Sequence, residues 1–294
     1  MDSNSEKCQQ NGYKLLHKGG ATVRGLLHIL STTLLSLLIP LSFLLLARLT
    51  TARYLLSVFD NFPTQNPNSP LSLLFLYAKP TVIYLLVPIA SVSALINGLI
   101  GKFKLLSGSP PPAATVGFRL CLYGAWIFLC VLQICVALGI EGSIAAGFDG
   151  SEFGQEKSLL CRIVFFFGLH ETTAFGAAVV VKPVVDDTIF GFTREEGWAE
   201  KVATAVSFGG LWWWKLRYEV EALAVVPEMK RELMMKIGVE DFIGWWLYYL
   251  TVTIGMVRVV KGVIWVVMIL TCRRRWRRVK GNDGGDLWSN EDNV

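Results

Sequence analysis

LLCRIVFFFGLHETTAFGAAVVV, residues 159–181, is an apolar run with an ionisable pair, His170-Glu171, at its midpoint. As a helix it is long enough to cross a bilayer, because ~30 Å of hydrocarbon needs ~20 residues at 1.5 Å each. Ionisable groups at that depth are costly and mark a functional site or a paired contact. The rest of the chain decides between these two roles.

Composition sets the class. Hydrophobic residues make up 53% of the 294 positions and fall in blocks, which is too apolar for an ordinary soluble domain. The 28 Lys and Arg against 23 Asp and Glu leave only +5, gathered in local clusters, so a nucleic-acid surface is not indicated. The six cysteines contain no CxxC, and four lie within apolar runs, which argues against a disulfide framework or a zinc site. No cofactor-binding pattern is present: Walker A, G-x-S-x-G and Rossmann glycine motifs are all missing. His170-Glu171 starts like the zinc-protease HExxH, but Ala174 stands where the second histidine is required. An enzymatic role is therefore disfavoured.

The fold class expected is all-α, a polytopic membrane protein of about six helices. A basic tail, 1–24, precedes a helical domain over 25–272, and a basic and then disordered tail occupies 273–294. The first span, near 25–47, is too long for a signal-peptide core and reads as a retained anchor, kinked at Pro40. A turn-rich loop over 48–70 leads to a span near 80–101, bent by Pro88. Pro110–Pro112 stiffens the connection to a third span near 116–140. After the fourth span, Pro183 is expected to stop the helix, with Asp186-Asp187-Thr188 as solvated capping residues for the next.

The fifth span, near 202–222, is the least regular. Its apolar part ends at Trp212-Trp213-Trp214, which suits an interfacial belt. Beyond it, Lys215 with Glu219 and Arg217 with Glu221 are each spaced i,i+4 for ion pairing, on nearly opposite faces. That half-helix must reach water or be enclosed by protein. Residues 215–241 continue as a charged amphipathic segment broken at Pro227 and Gly238. The last apolar run, 242–271, would reach ~45 Å and must tilt or project.

Six spans with a cytosolic N-terminus put fifteen Lys and Arg on the cytosolic side and nine opposite, as the positive-inside rule requires. The host membrane is then the endoplasmic reticulum or endomembrane, or the plasma membrane, with both tails cytosolic. Arg273, Arg274, Arg275, Arg277, Arg278 and Lys280 form a membrane-surface basic patch. It acts first as a topology anchor and second as a contact for anionic lipid. The partners expected are the bilayer itself, other membrane proteins or further copies of the chain, and no nucleic acid.

Within the more regular spans Glu171 is the only deep carboxylate, and Arg258 and Lys261 the only deep cations. Glu171 is therefore expected to face Arg258 or Lys261, or to be protonated, with His170 sharing the polar pocket. Gly168, Thr172 and Gly176 form a ridge of small residues for close helix approach. Two roles are weighed for this cluster: polar glue in a structural or adaptor protein, and a path in a small solute, ion or proton transporter or channel.

The segments HETT...VVVKPVVDDTIFGF (170–192) and WWLYYLTVTIGMVR (245–258) resemble a family of uncharacterised plant multi-pass transmembrane proteins. The resemblance implies a membrane location and assigns no functional residue.

Overall fold

The computed structural model describes residues 22–59, 80–100, 116–147, 158–189 and 197–282, together with Pro70. Only the backbone is described at 59, 116–119 and 272–282. Among the described residues every regular element is helical: α1 Thr22–Val58, α2 Thr81–Ile100, α3 Val116–Ala145, α4 Leu159–Ile189, α5 over 198–219, α6 Ala222–Glu232 and α7 Val239–Asn282. The chain is an all-α membrane protein: five of these (α1, α2, α3, α4 and α7) are long and apolar enough to cross a bilayer. Of the loop expected over 48–70, residues 48–59 are helical and 60–69 lie outside the described residues, as do 102–115 and most of the two tails.

The helices α1 and α4 both outrun their sequence boundaries, and a proline explains part of each departure. In α1, Pro40 cannot donate, and its ring crowds the carbonyl one turn earlier. The helix loosens into a turn at Leu37 and then continues past Arg48 to Val58. In α4, Pro183 does not stop the helix. A π-helical turn, Ala177–Val181, precedes it, and the helix resumes over Lys182–Ile189. The wider turn absorbs the lost hydrogen bond.

The core lies around the second half of α1, where residues 42–52 are buried on every face. Fully 61% of its most apolar window is enclosed, against 11% for α3, so α1 is the central helix and α3 faces lipid. Lipid is as apolar as leucine, so helices here associate through close packing and polar contacts. Phe165 of α4 supplies the packing: it stacks on Trp212 of α5 at 6.0 Å and on Tyr248 of α7 at 4.9 Å, and meets Phe43 of α1 edge-on at 6.0 Å. Each such pair adds ~0.5–1.5 kcal/mol beyond burial. The three tryptophans thus divide, with Trp212 in the core and Trp213 and Trp214 facing outward.

The expected small-residue ridge serves two neighbours. Gly168 meets α7 so closely that a Cβ there would strike the Thr251 carbonyl and lie 2.9 Å from Gly255 N. A Cβ on Gly255 would strike the Val164 carbonyl in turn. Gly176 instead makes room for Ile39 of α1.

The short α6 runs through Pro227 without a break, and the α-helical ladder is interrupted instead at Val220 and Glu221, whose backbone stays right-handed helical. Residues 222–227 are all buried. Its end is a Schellman motif: Met235 N–H donates to Lys230 O at 2.8 Å and Met234 N–H to Arg231 O at 3.2 Å. Met234 takes the left-handed position, φ 54°, and is almost fully exposed.

Gly168→Ala is expected to lower stability by ~1–3 kcal/mol through overpacking of the α4–α7 crossing. Gly262→Ala, whose Cβ would meet nothing within 4 Å, should leave it unchanged or higher. Thermal unfolding in one detergent compares them. By the same assay Met234→Gly should gain about 0.5 kcal/mol, because glycine relieves a left-handed residue at a modest entropic cost.

Candidate functional site

One end of the bundle is closed by a set of buried ions. Arg48 of α1 is only 2% exposed. Its Nε donates to Glu219 Oε2 at 2.5 Å, its Nη2 to Glu219 Oε1 at 2.8 Å and its Nη1 to Ser143 Oγ of α3 at 2.6 Å. This two-point guanidinium–carboxylate fork is the strong form of an ion pair. Lys215 also reaches Glu219, at 3.3 Å. Glu221, 1% exposed, sits in the turn after α5 and takes Nε of Arg162 at 2.5 Å. Arg217 lays its guanidinium over Trp213 and Tyr218 at 4.3 and 4.2 Å. Close by, Lys230 of α6 donates to both oxygens of Asp241, at 2.8 and 3.0 Å. Asp241 also accepts from Gly238 N–H at 3.0 Å, capping the first turn of α7.

The other end carries a second set. His28 of α1 is fully buried. Its Nε2 is 2.6 Å from Asp186 Oδ1 of α4, in hydrogen-bond geometry. Its Nδ1 lies 2.5 Å from Glu200 Oε1 of α5, a close ionic contact without an aligned hydrogen bond. Asp186 is thus a helix-interior residue, 2% exposed, and not a solvated cap. It stays inside α4 because the π-helical turn carries the helix past Pro183.

The two ion sets are about one membrane thickness apart on two helices. His28 to Arg48 on α1 and Glu200 to Glu219 on α5 are each about 20 residues, or ~30 Å of helix, while Arg162 and Asp186 on α4 are 24 positions apart across the π-helical turn. An interval of ~30 Å is the thickness of the hydrocarbon layer. The α5 helix therefore makes a full passage between the two ends, although its own composition is not that of an independent span.

Midway between the ends lies the central charged pair. Glu171 Oε2 is 3.5 Å from Arg258 Nε, with Glu171 mostly enclosed and Arg258 more than half exposed. Both line a cavity of about 200 Å³ together with Asn97 and Lys261. Lys261 donates to the Gly98 carbonyl in the last described turn of α2.

His170 does not share this cavity. Its ring leans on Phe166 and Phe208, at 6.3 and 5.7 Å, and faces a separate cleft of about 390 Å³ between α4 and α5. Neighbouring residues on a helix point ~100° apart, which is enough to part the pair. For the basic patch at 273–280, the backbone of α7 remains helical to Asn282, and the side chains lie outside the described residues.

Sequence reasoning missed His28, Arg48, Asp186 and Glu200, and read Glu219 and Glu221 only as local partners on one helix. The signal available was spacing: a polar residue at each edge of the first apolar run, repeated at the same interval on the fifth.

Arg48→Met is expected to cost ~3–5 kcal/mol, because it strands the Glu219 carboxylate in the interior. Arg48→Met with Glu219→Leu should recover most of that loss, since replacing both ions with apolar groups removes the desolvation cost. Protein level and thermal midpoint in detergent measure both. No family model matches the chain, and no curated protein or solved structure is significantly similar to it.

Proposed function

We propose that this chain is a six-pass membrane protein with a structural or adaptor role, its ions acting as polar glue between helices. The observation that carries the reading is that most of the deep charges meet opposite charges on other elements: Arg48 with Glu219, Arg162 with Glu221, His28 with Asp186 and Glu200, Arg258 with Glu171. Polar contacts of this kind hold helices together where lipid offers no hydrophobic drive. The full passage of α5 between the ion sets supports counting it as the sixth crossing, and the charge asymmetry of the loops supports cytosolic tails in an endomembrane or plasma membrane.

An adaptor needs an outward face. Val259 to Leu270 on α7 supply one, with apolar side chains exposed around the helix. It suits another membrane protein or a second copy, and the basic patch that follows would fix the helix end at an anionic surface.

A second reading, transport of a small solute, ion or proton, draws support from the two cavities lined by Glu171 and His170. Glu171→Gln and Arg258→Gln, singly and together, separate the readings in cells. If the pair is glue, each single change lowers the steady-state protein level and the double change restores it. Loss of a solute or proton flux at normal protein level would overturn the structural reading in favour of transport.

A further inference from the structure

At Arg258 the helices α4 and α7 part. Up to that level they are locked together at Gly168 and Gly255. Past it α4 leans on α1, where Gly176 makes room for Ile39, while α7 continues with Val259 to Leu270 exposed around the helix. The divergence leaves a groove of about 420 Å³, lined by Phe167 of α4 and by Val259, Gly262, Val263 and Val266 of α7. Arg258 borders it at the end nearer the crossing.

Depth makes this arginine unusual. Its partner Glu171 lies nine positions from Arg162 and fifteen from Asp186, which belong to the opposite ion sets, so the pair sits well inside the hydrocarbon. The apolar run of α7 ends at Thr271, thirteen positions further on, or ~20 Å of helix. One side chain cannot snorkel that far, and an arginine at this depth is costly unless it is met. Yet the Arg258 side chain is 58% exposed, and its ionic contact among the described residues is Nε to Glu171 at 3.5 Å. That is looser than the fork of 2.5 and 2.8 Å that encloses Arg48. The neighbouring cavity also sets one carboxylate, Glu171, against two cations, Arg258 and Lys261.

We infer that this groove docks one transmembrane helix of a different membrane protein, a helix that carries an aspartate or glutamate at the depth of Arg258. The inference rests on the adaptor reading and names the chemistry of the partner. A carboxylate entering the groove meets the exposed part of the guanidinium, as Glu219 meets Arg48 at the end of the bundle. Close packing and polar contacts are what join helices in lipid, and the groove offers both. At Gly262 an added Cβ would meet nothing within 4 Å, so the space beside α7 is open to an approaching helix. A second copy of the chain is the poorer fit. Among the described residues Glu171 is the only carboxylate at this depth, and it is mostly enclosed beside its own Arg258.

The test uses the full-length protein in phosphatidylcholine vesicles with a trace of a synthetic polyleucine helix, ~20 residues long, bearing Glu or Leu at its centre. Energy transfer between a label on each reads their association. The Glu helix should associate about tenfold more tightly than the Leu helix, and moving its Glu two turns toward an end should remove the gain. Glu171→Gln with Arg258→Gln, the pair that restores protein level if these charges are glue, should erase the preference for Glu. Gly262→Leu fills the groove, keeps both charges and should weaken association of the Glu helix severalfold. It also keeps the test decisive if the double variant fails to fold. Equal association of the two helices with the unaltered protein, or a Glu preference that survives in both variants, would remove the docking face. Energy transfer between two labelled copies of the chain, lost on Gly262→Leu, would reassign the groove to self-association and refute the separate partner. The adaptor reading fails on a different result, a lost flux at normal protein level, so the two failures are told apart.

Discussion

A guanidinium enclosed in a helical bundle has to be met by a carboxylate, and Arg48 imposes that demand at the centre of this structure. Meeting it sets the end of α5, because Glu219 must arrive beside α1. It sets the level of α3, because Ser143 fills the remaining donor direction. Two positions further on, Glu221 points to the other side of the helix and meets Arg162 on α4. Buried pairs contribute little net stability over apolar substitutes, but a wrong register leaves a bare charge and is heavily penalised. Their effect is to select one arrangement of helices among many that would pack hydrocarbon equally well.

The opposite end is tied through a single imidazole. His28 joins α1, α4 and α5 through two carboxylates, while the helix backbones around the cleft stay apart. The result is a bundle that is densely packed around Phe165 and Arg48 and open along one flank at the His28 end. The Glu171–Arg258 contact lies between these regions, partly accessible from the side.

Much of the fold was legible in the sequence because membrane helices announce themselves through long apolar runs, and the Lys215–Glu219 pair because both residues share a helix face. Glu171 and Arg258 could be matched because few charges compete at their depth. The partnerships of Arg48 and His28 were hidden for a physical reason: their partners are more than a hundred residues away, and helical periodicity carries no information about which distant helix is adjacent. Arg48 read as the flank of a span because a charge normally ends one. Pro183 read as a stop because its ring normally ends a helix, yet one π-helical turn was enough to carry α4 onward and bring Asp186 inside.

The matching interval between the ion sets on α1 and α5 has a consequence for the bilayer around such a protein. A single helix adapts to a thinner bilayer by tilting. Three helices tied to one another at both ends cannot tilt independently, so a change in thickness falls on the surrounding lipid. A bundle tied in this way is accommodated at lowest cost where the hydrocarbon is close to the ~30 Å that separates its ion sets on α1 and α5.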